Sequence, residues 1–337
     1  MAACSQALAL LGGVIGAGFA SGREILHFFA AHGRQAPAAI AAACLALGAL
    51  CLRLPALMRR YGASTLMELC RIRLGARFGS LCAALFLSLC ALTGAAMLTA
   101  CAELGALVLP MHGAYLLSLF GTLILAAALS GLGLFGVALP GALLLMTLPV
   151  LLIHLLALPA GEACFLPAMA PDLPVRALSD GIAYGALSAA QLAGLLSRLC
   201  QQDARTSRHA ALLFTLLFGC MLFLGTQVCR RHLPAIVHQP LPFVYLSRSL
   251  GAGHVPVALC MYAAALSTLC AMLHALMQAL PPGAQGACLA ALCCLMPAFV
   301  GFDALIVHGY PLLGALCAGL LAALCLPVCQ KASMSEI

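Results

Sequence analysis

The sequence predicts an all-α integral membrane protein of about ten transmembrane helices, each near the ~20-residue length that crosses a bilayer. Three observations predict it. Of the 337 residues, 64% are hydrophobic and 7% charged, against about 25% charged in soluble domains; a water-facing surface cannot be built from that supply. Apolar runs of roughly 20 residues follow one another along the chain, each long enough for a ~30 Å hydrocarbon core. No polar stretch is long enough for a soluble module, so residues 1–337 read as a single membrane domain.

The first segment covers residues 3–31 and is interrupted by Gly12, Gly13, Gly16, Gly18 and Gly22. It lacks the positive n-region of a signal peptide and reads as a retained helix. The second, 37–58, ends at Arg59-Arg60-Tyr61-Gly62. Residues 64–73 read as an amphipathic helix on the membrane face, with Ser64 as its N-cap. The third segment, 78–109, is long enough to tilt strongly. Segments four and five, 114–132 and 134–158, end at a proline-rich loop over 159–174.

The second half repeats the count. Segments six and seven are 177–199 and 209–229; residues 230–251 are too polar to span and read as a surface loop with a short helix. Segments eight, nine and ten are 255–280, 287–300 and 304–328, followed by a short cytoplasmic tail, 329–337. Five segments thus fall in 1–158 and five in 175–328.

The net charge of +7 comes almost wholly from arginine, Lys331 being the only lysine. The arginines sit between apolar runs rather than on one exposed face, which argues against nucleic acid as a partner. With the N-terminus inside, Arg53, Arg59, Arg60, Arg71, Arg73, Arg77, Arg198, Arg205, Arg208 and Lys331 face the cytoplasm. They outnumber Arg23, Arg34, Arg176, Arg230, Arg231 and Arg248 outside, so both termini are expected in the cytoplasm. The 19 cysteines include no CxxC pair and lie mostly within apolar runs, where a thiol packs as a small hydrophobe.

The most informative stretch is Leu11 to Glu24, LGGVIGAGFASGRE. Glycine costs about 1 kcal/mol against alanine in a helix interior, so its density asks for a reason. Small residues let helices pack closely. Alternatively the helix breaks in mid-membrane and turns backbone groups toward a cavity, which is tolerable only where protein or water satisfies them. In secondary transporters such breaks recur at matching places in two halves. The match is segment six, where Asp180 to Ser188 supplies glycines and hydroxyls. Segment eight adds Ala264, Ser267 and Thr268; those hydroxyls either bond back to their own helix or offer oxygen to a hard cation.

The run Gly16-Ala17-Gly18-Phe19-Ala20-Ser21-Gly22-Arg23-Glu24-Ile25, with His27-Phe28-Phe29, resembles the opening of the YkvI family of bacterial membrane proteins. Val300 to Ile306 and Tyr310-Pro311-Leu312-Leu313-Gly314 resemble that family's last two segments. The family is similar to the amino acid–polyamine–organocation superfamily, whose LeuT fold consists of two inverted five-helix repeats with helices 1 and 6 broken. The resemblance implies residence in the bacterial cell membrane. It implies a Na⁺ held by Gly12 and Ile15 with Ala264, Ser267 and Thr268, and no other cofactor or metal. It also implies a solute site at Gly16, Ala17, Gly18, Tyr184, Gly185 and Ser188. Segment six lacks the asparagine that the pattern has near Leu187-Ser188, which leaves the substrate class open.

Ionisable residues at membrane depth are functional candidates. Glu24 is either an outer gate or a solvated helix end paired with Arg23 or His27. Asp180 reads as a cap of segment six, Asp303 as an interface residue, and Glu103 lies deep in segment three. His154 and His274 stand alone in apolar segments. The functional expectation is a secondary active transporter of a small, amino-acid-like solute, coupled to Na⁺ or H⁺ and working by alternating access. The alternative is a solute sensor or receptor subunit of the same fold. The chain carries no HExxH motif and no facing pair of membrane aspartates, so an intramembrane enzyme is not expected.

Overall fold

Long apolar runs satisfy their own backbone only by coiling, and they do so here. The computed structural model describes residues 2–109, 111–131, 138–158 and 174–326, which form helices and turns without a strand. The expected tail and most of the proline-rich loop lie outside the described residues. The first segment yields α1 (Ala2–Val14), α2 (Ala17–Ser21) and α3 (Arg23–Phe28). There follow α4 (Ala36–Tyr61), α5 (Leu66–Val108), α6 (Ala114–Gly131) and α7 (Ala138–Ala157). The next are α8 (Pro174–Gln191), α9 (Ala193–Gln201), α10 (Ala204–Arg231) and two short helices, α11 (Leu233–Ile236) and α12 (Pro242–Ser247). The chain closes with α13 (His254–Ala279), α14 (Ala284–Ala298), α15 (Phe302–Ala304) and α16 (Tyr310–Cys325), with a π-turn over Leu305–Gly309 between the last two.

Among the described residues, 6 helical stretches are long and apolar enough to cross a membrane: Ala30–Tyr61, Leu66–Val108, Ala114–Gly131, Ala204–Arg231, His254–Ala279 and Phe302–Cys325. Shorter apolar helices occur at Ala2–Val14, Thr147–Ala157 and Ala284–Ala298. Their outer faces leave Leu45 74% and Ile124 70% exposed, with Leu216 and Leu312 both at 64%. Apolar surface this extensive is stable only under a lipid cover. The protein is an all-α membrane protein.

Helices in lipid associate through close packing more than through the hydrophobic effect, and small residues set the contacts. α4 lies along α8, and α10 along α1. α8 also packs on α16, as α1 does on α7. α5 contacts α13 and α14, while α13 contacts α6; α4 and α10 meet each other. Tyr262 on α13 bonds Thr122 on α6 through their hydroxyls at 2.7 Å.

The expected break of segment six over Tyr184–Ser188 is not found. α8 runs through to Gln191, and the helix changes course at Leu192. The glycines serve close approach instead: a Cβ on Gly181 would lie 2.3 Å from the Ala39 carbonyl oxygen, and one on Gly185 would lie 2.6 Å from that of Ala43. Ser188 Oγ donates to Tyr184 O at 2.8 Å inside the same helix.

The cap of α5 is Thr65 rather than Ser64, its side chain accepting from Glu68 N at 3.1 Å. Ser64 instead donates N–H and hydroxyl to Glu68 Oε2, each at 2.7 Å. Residues 64–73 and segment three form one helix, kinked at Gly75. Nor does Asp180 cap α8, which starts at Pro174; it pairs with His32 Nε2 at 3.2 Å and Arg176 Nε at 3.9 Å.

Candidate functional site

The first segment is broken where its glycines are densest. Ile15 N still donates to Leu11 O at 2.9 Å, but Gly16 N turns to Val14 O at 2.8 Å and leaves the helical ladder. Gly16 is extended, and α2 starts from it. A helix end leaves its last carbonyls, and a helix start its first amides, without intrahelical partners. The last turn of α1 and the first of α2 therefore present backbone dipoles to each other's surroundings. A second break follows at Gly22, whose φ of 86° is open to glycine without a Cβ penalty.

The break is closed over by side chains. Met97 Sδ on α5 lies 2.9 Å from where a Gly16 Cβ would be, and Thr268 Oγ1 on α13 lies 3.7 Å away. Phe243 on α12 covers Gly22 in the same way, its ring 2.8 Å from an ideal Cβ. Glu24 folds back over Gly18 so tightly that a Cβ there would come within 1.9 Å of Oε1.

Glu24 is buried, and Tyr184 Oη donates to its Oε2 at 2.8 Å. This hydrogen bond ties α3 to α8. Neither Arg23 nor His27 is its partner, as the sequence had suggested for a helix end. Arg23 pairs with Asp303 and donates to Val237 O at 2.7 Å, clamping α3 to the loop after α11. Tyr184 sits in an aromatic cage: Phe28 and Phe29 have ring centroids 5.0 and 5.1 Å away, and Phe218 stacks at 6.4 Å.

Behind Tyr184 lies a polar group that sequence reasoning did not single out. Gln191 Nε2 at the end of α8 donates to Thr93 Oγ1 on α5 at 3.3 Å. Tyr310 at the start of α16 is buried, with its hydroxyl toward Thr93 and within electrostatic reach of Glu24. That hydroxyl has no hydrogen bond of normal geometry among the described residues. The only hint in the sequence was the Tyr310-Pro311 motif, which carried a resemblance and no assigned role.

The expected site residues divide accordingly. Gly16, Gly18, Tyr184 and Thr268 come together with Glu24 around the break. Gly12 and Ile15 are buried at the end of α1, and Ala17 opens α2. Gly185 faces α4, and Ser188 is spent within α8. On α13, Thr268 Oγ1 donates to Ala264 O at 3.1 Å and lies 3.7 Å from where a Gly16 Cβ would be; Ser267 is half-buried one residue away. Among the described residues, no three His, Cys, Asp or Glu side chains gather as a metal site would need. No protein-family model and no curated protein matches the chain.

Proposed function

We propose that this protein is a secondary active transporter of a small, amino-acid-like solute, driven by Na⁺ or H⁺ through alternating access. One observation carries the reading: a buried carboxylate held by Tyr184, a buried Tyr310 hydroxyl that faces Thr93 without a well-formed hydrogen bond, and a broken helix lie together in the buried core of the bundle. A buried polar group without a well-made hydrogen bond costs up to about 3 kcal/mol, and ionisable groups at membrane depth mark substrate or ion pathways. Tyr310, Thr93 and Gln191 can donate to and accept from a polar solute. Glu24 supplies a site for a proton or a cationic group. Backbone ends at Gly12, Ile15 and Gly16, with Ala264, Ser267 and Thr268, supply oxygens for Na⁺.

The packing supports two five-helix repeats in a LeuT-like, 5+5 inverted arrangement, residues 1–158 and 175–328. If segments one to five correspond to six to ten, the contact of α1 with α10 has its counterpart in α8 with α4. Likewise α1 with α7 corresponds to α8 with α16, and α5 with α14 to α13 with α6. The self-corresponding pairs, α5 with α13 and α4 with α10, also touch. The likeness of the Gly16–Ile25 motif to the YkvI family points the same way. Met97, Glu24 and Phe243 over the break fit a closed intermediate, and Gly16 and Gly22 are hinges about which α2 and α3 can swing.

The test is uptake of a panel of labelled amino acids by proteoliposomes, with Na⁺ or pH gradients imposed. Gradient-driven accumulation is expected for at least one solute, and Glu24→Gln or Tyr310→Phe should reduce it at least tenfold, about 1.4 kcal/mol. Saturable binding without accumulation would replace transport with the sensor reading.

A further inference from the structure

A cleft of about 680 Å³ opens between the end of α4 and the start of α10, far in sequence from the helix break. Its lining combines Arg53, Arg59, Arg60 and Arg208 with the apolar Leu52, Ala56, Leu57, Ala204 and Leu212. The mixture follows from helical spacing. Arg53, Ala56 and Arg60 share one face of α4, and Ala204, Arg208 and Leu212 form one stripe on α10.

The charges are uncompensated. Among the described residues, the ion pairs are Arg23–Asp303, His32–Asp180 and Arg176–Asp180, none of them in this cleft. The acid next in sequence, Asp203, is engaged in capping α10, accepting from Thr206 N at 2.8 Å. Arg59 is partly engaged, donating to Leu199 O at 3.2 Å at the end of α9. Arg53, Arg60 and Arg208 are exposed.

The position within the helices matters as much as the charge. Arg53 lies eight residues before the end of α4, or ~12 Å at 1.5 Å per residue, so the arginines reach from the helix end toward the hydrocarbon boundary. Leu212, 57% exposed and one turn beyond Arg208 on α10, continues the wall toward the apolar middle of the helix. A soluble anion would use the guanidinium groups and leave that wall idle. A phospholipid uses both parts, its phosphate on the arginines and its acyl chains along Leu52, Leu57 and Leu212. Basic pockets between membrane helices bind headgroups in this manner.

We propose that the α4–α10 cleft is a binding site for an anionic phospholipid, its headgroup phosphate held by Arg53, Arg60 and Arg208. Arginine suits this role because its planar fork pairs with phosphate oxygens two at a time. The bound lipid bridges two helices that already touch, and so stabilises the folded bundle.

The experiment measures thermal midpoints and native mass spectra of detergent-purified protein given dioleoyl phosphatidylglycerol, dioleoyl phosphatidylcholine or inorganic phosphate. Phosphatidylglycerol should raise the midpoint and remain bound, while phosphatidylcholine and phosphate should do neither. Arg53→Gln/Arg60→Gln/Arg208→Gln should lower phosphatidylglycerol retention by roughly fivefold per arginine; Arg59 is kept because it caps α9. The matching triple lysine variant keeps the charge but not the planar fork, so it should retain phosphatidylglycerol at a level between the wild type and the glutamine variant, and it controls for folding. Equal effects of the two lipids, or undiminished retention by the folded glutamine variant, would overturn the proposal. An equal shift with inorganic phosphate would also overturn it, leaving a site for soluble anions.

Discussion

The Tyr184 hydroxyl on α8 donates to the Glu24 carboxylate on α3 at 2.8 Å, joining the twice-broken first segment to the opening helix of the chain's second half. Glu24 in turn packs over Gly18, so the carboxylate is held between a phenol and a bare backbone. Whatever moves α2 and α3 must first part this pair.

Tyr184→Phe should lower stability by about 1–3 kcal/mol, because a buried acceptor loses its donor. Glu24→Leu combined with Tyr184→Phe should cost less than the sum of the single changes, since the two side chains share one hydrogen bond. Reversible unfolding in mixed micelles measures both, and strict additivity would mean that the bond contributes nothing.

Gly18→Ala is expected to destabilise by about 1–3 kcal/mol, the usual cost of overpacking. The intrinsic helix preference has the opposite sign and favours alanine by up to about 1 kcal/mol, so the direction alone is informative. Gly181→Ala and Gly185→Ala should behave likewise, because their Cβ atoms would meet carbonyls of α4. Gly194→Ala on α9, with nothing within 4 Å of its ideal Cβ, should be neutral or stabilising. The same unfolding assay separates the four.

Tyr310→Phe should keep the stability of the ligand-free protein within ~1 kcal/mol of the wild type, because the hydroxyl it removes faces Thr93 without a well-formed hydrogen bond. The same change should weaken solute binding. Calorimetry on a bound solute and thermal unfolding without it read the two effects. A larger loss of stability in the free protein would mean that the hydroxyl is fully engaged with Thr93.

Asp203 gives a pH-dependent term. Its carboxylate accepts from the Thr206 amide, which holds its pKa below the ordinary aspartate range. The folded-state value is depressed, so the contribution is present above the unfolded value near ~3.9 and fades as pH falls through the lower folded value. The thermal-midpoint difference between the wild type and Asp203→Asn should therefore shrink below about pH 3.9, and a constant difference from pH 6 to 2.5 would contradict the capping role.

Much of this architecture is legible without coordinates, because lipid is a demanding solvent. Every backbone group at depth must find a partner within the chain, so each long apolar run has one outcome, a helix. Runs such as 114–132 and 255–280 therefore match α6 and α13 within a few residues. The break beside Gly16 was legible too, because so many glycines in one stretch leave little helical preference to defend. Segment six misled for a related reason. Gly181 and Gly185 look like breakers by composition, but their role depends on what lies opposite, and α4 does. Composition cannot say whether a missing Cβ makes room for a bend or for a neighbour.

The sequence by itself determined the solvent, the helical class, the approximate positions of the six longest apolar helices among the described residues and the place where the first helix fails. Tertiary structure alone decided which polar groups meet: Glu24 with Tyr184 across 160 residues, Thr93 with Gln191, Arg23 with Asp303. The physical reason is range. Hydrophobic length and glycine content act over one or two turns of chain, whereas a buried hydrogen bond is specified by two distant surfaces brought within 3 Å, roughly one donor–acceptor distance.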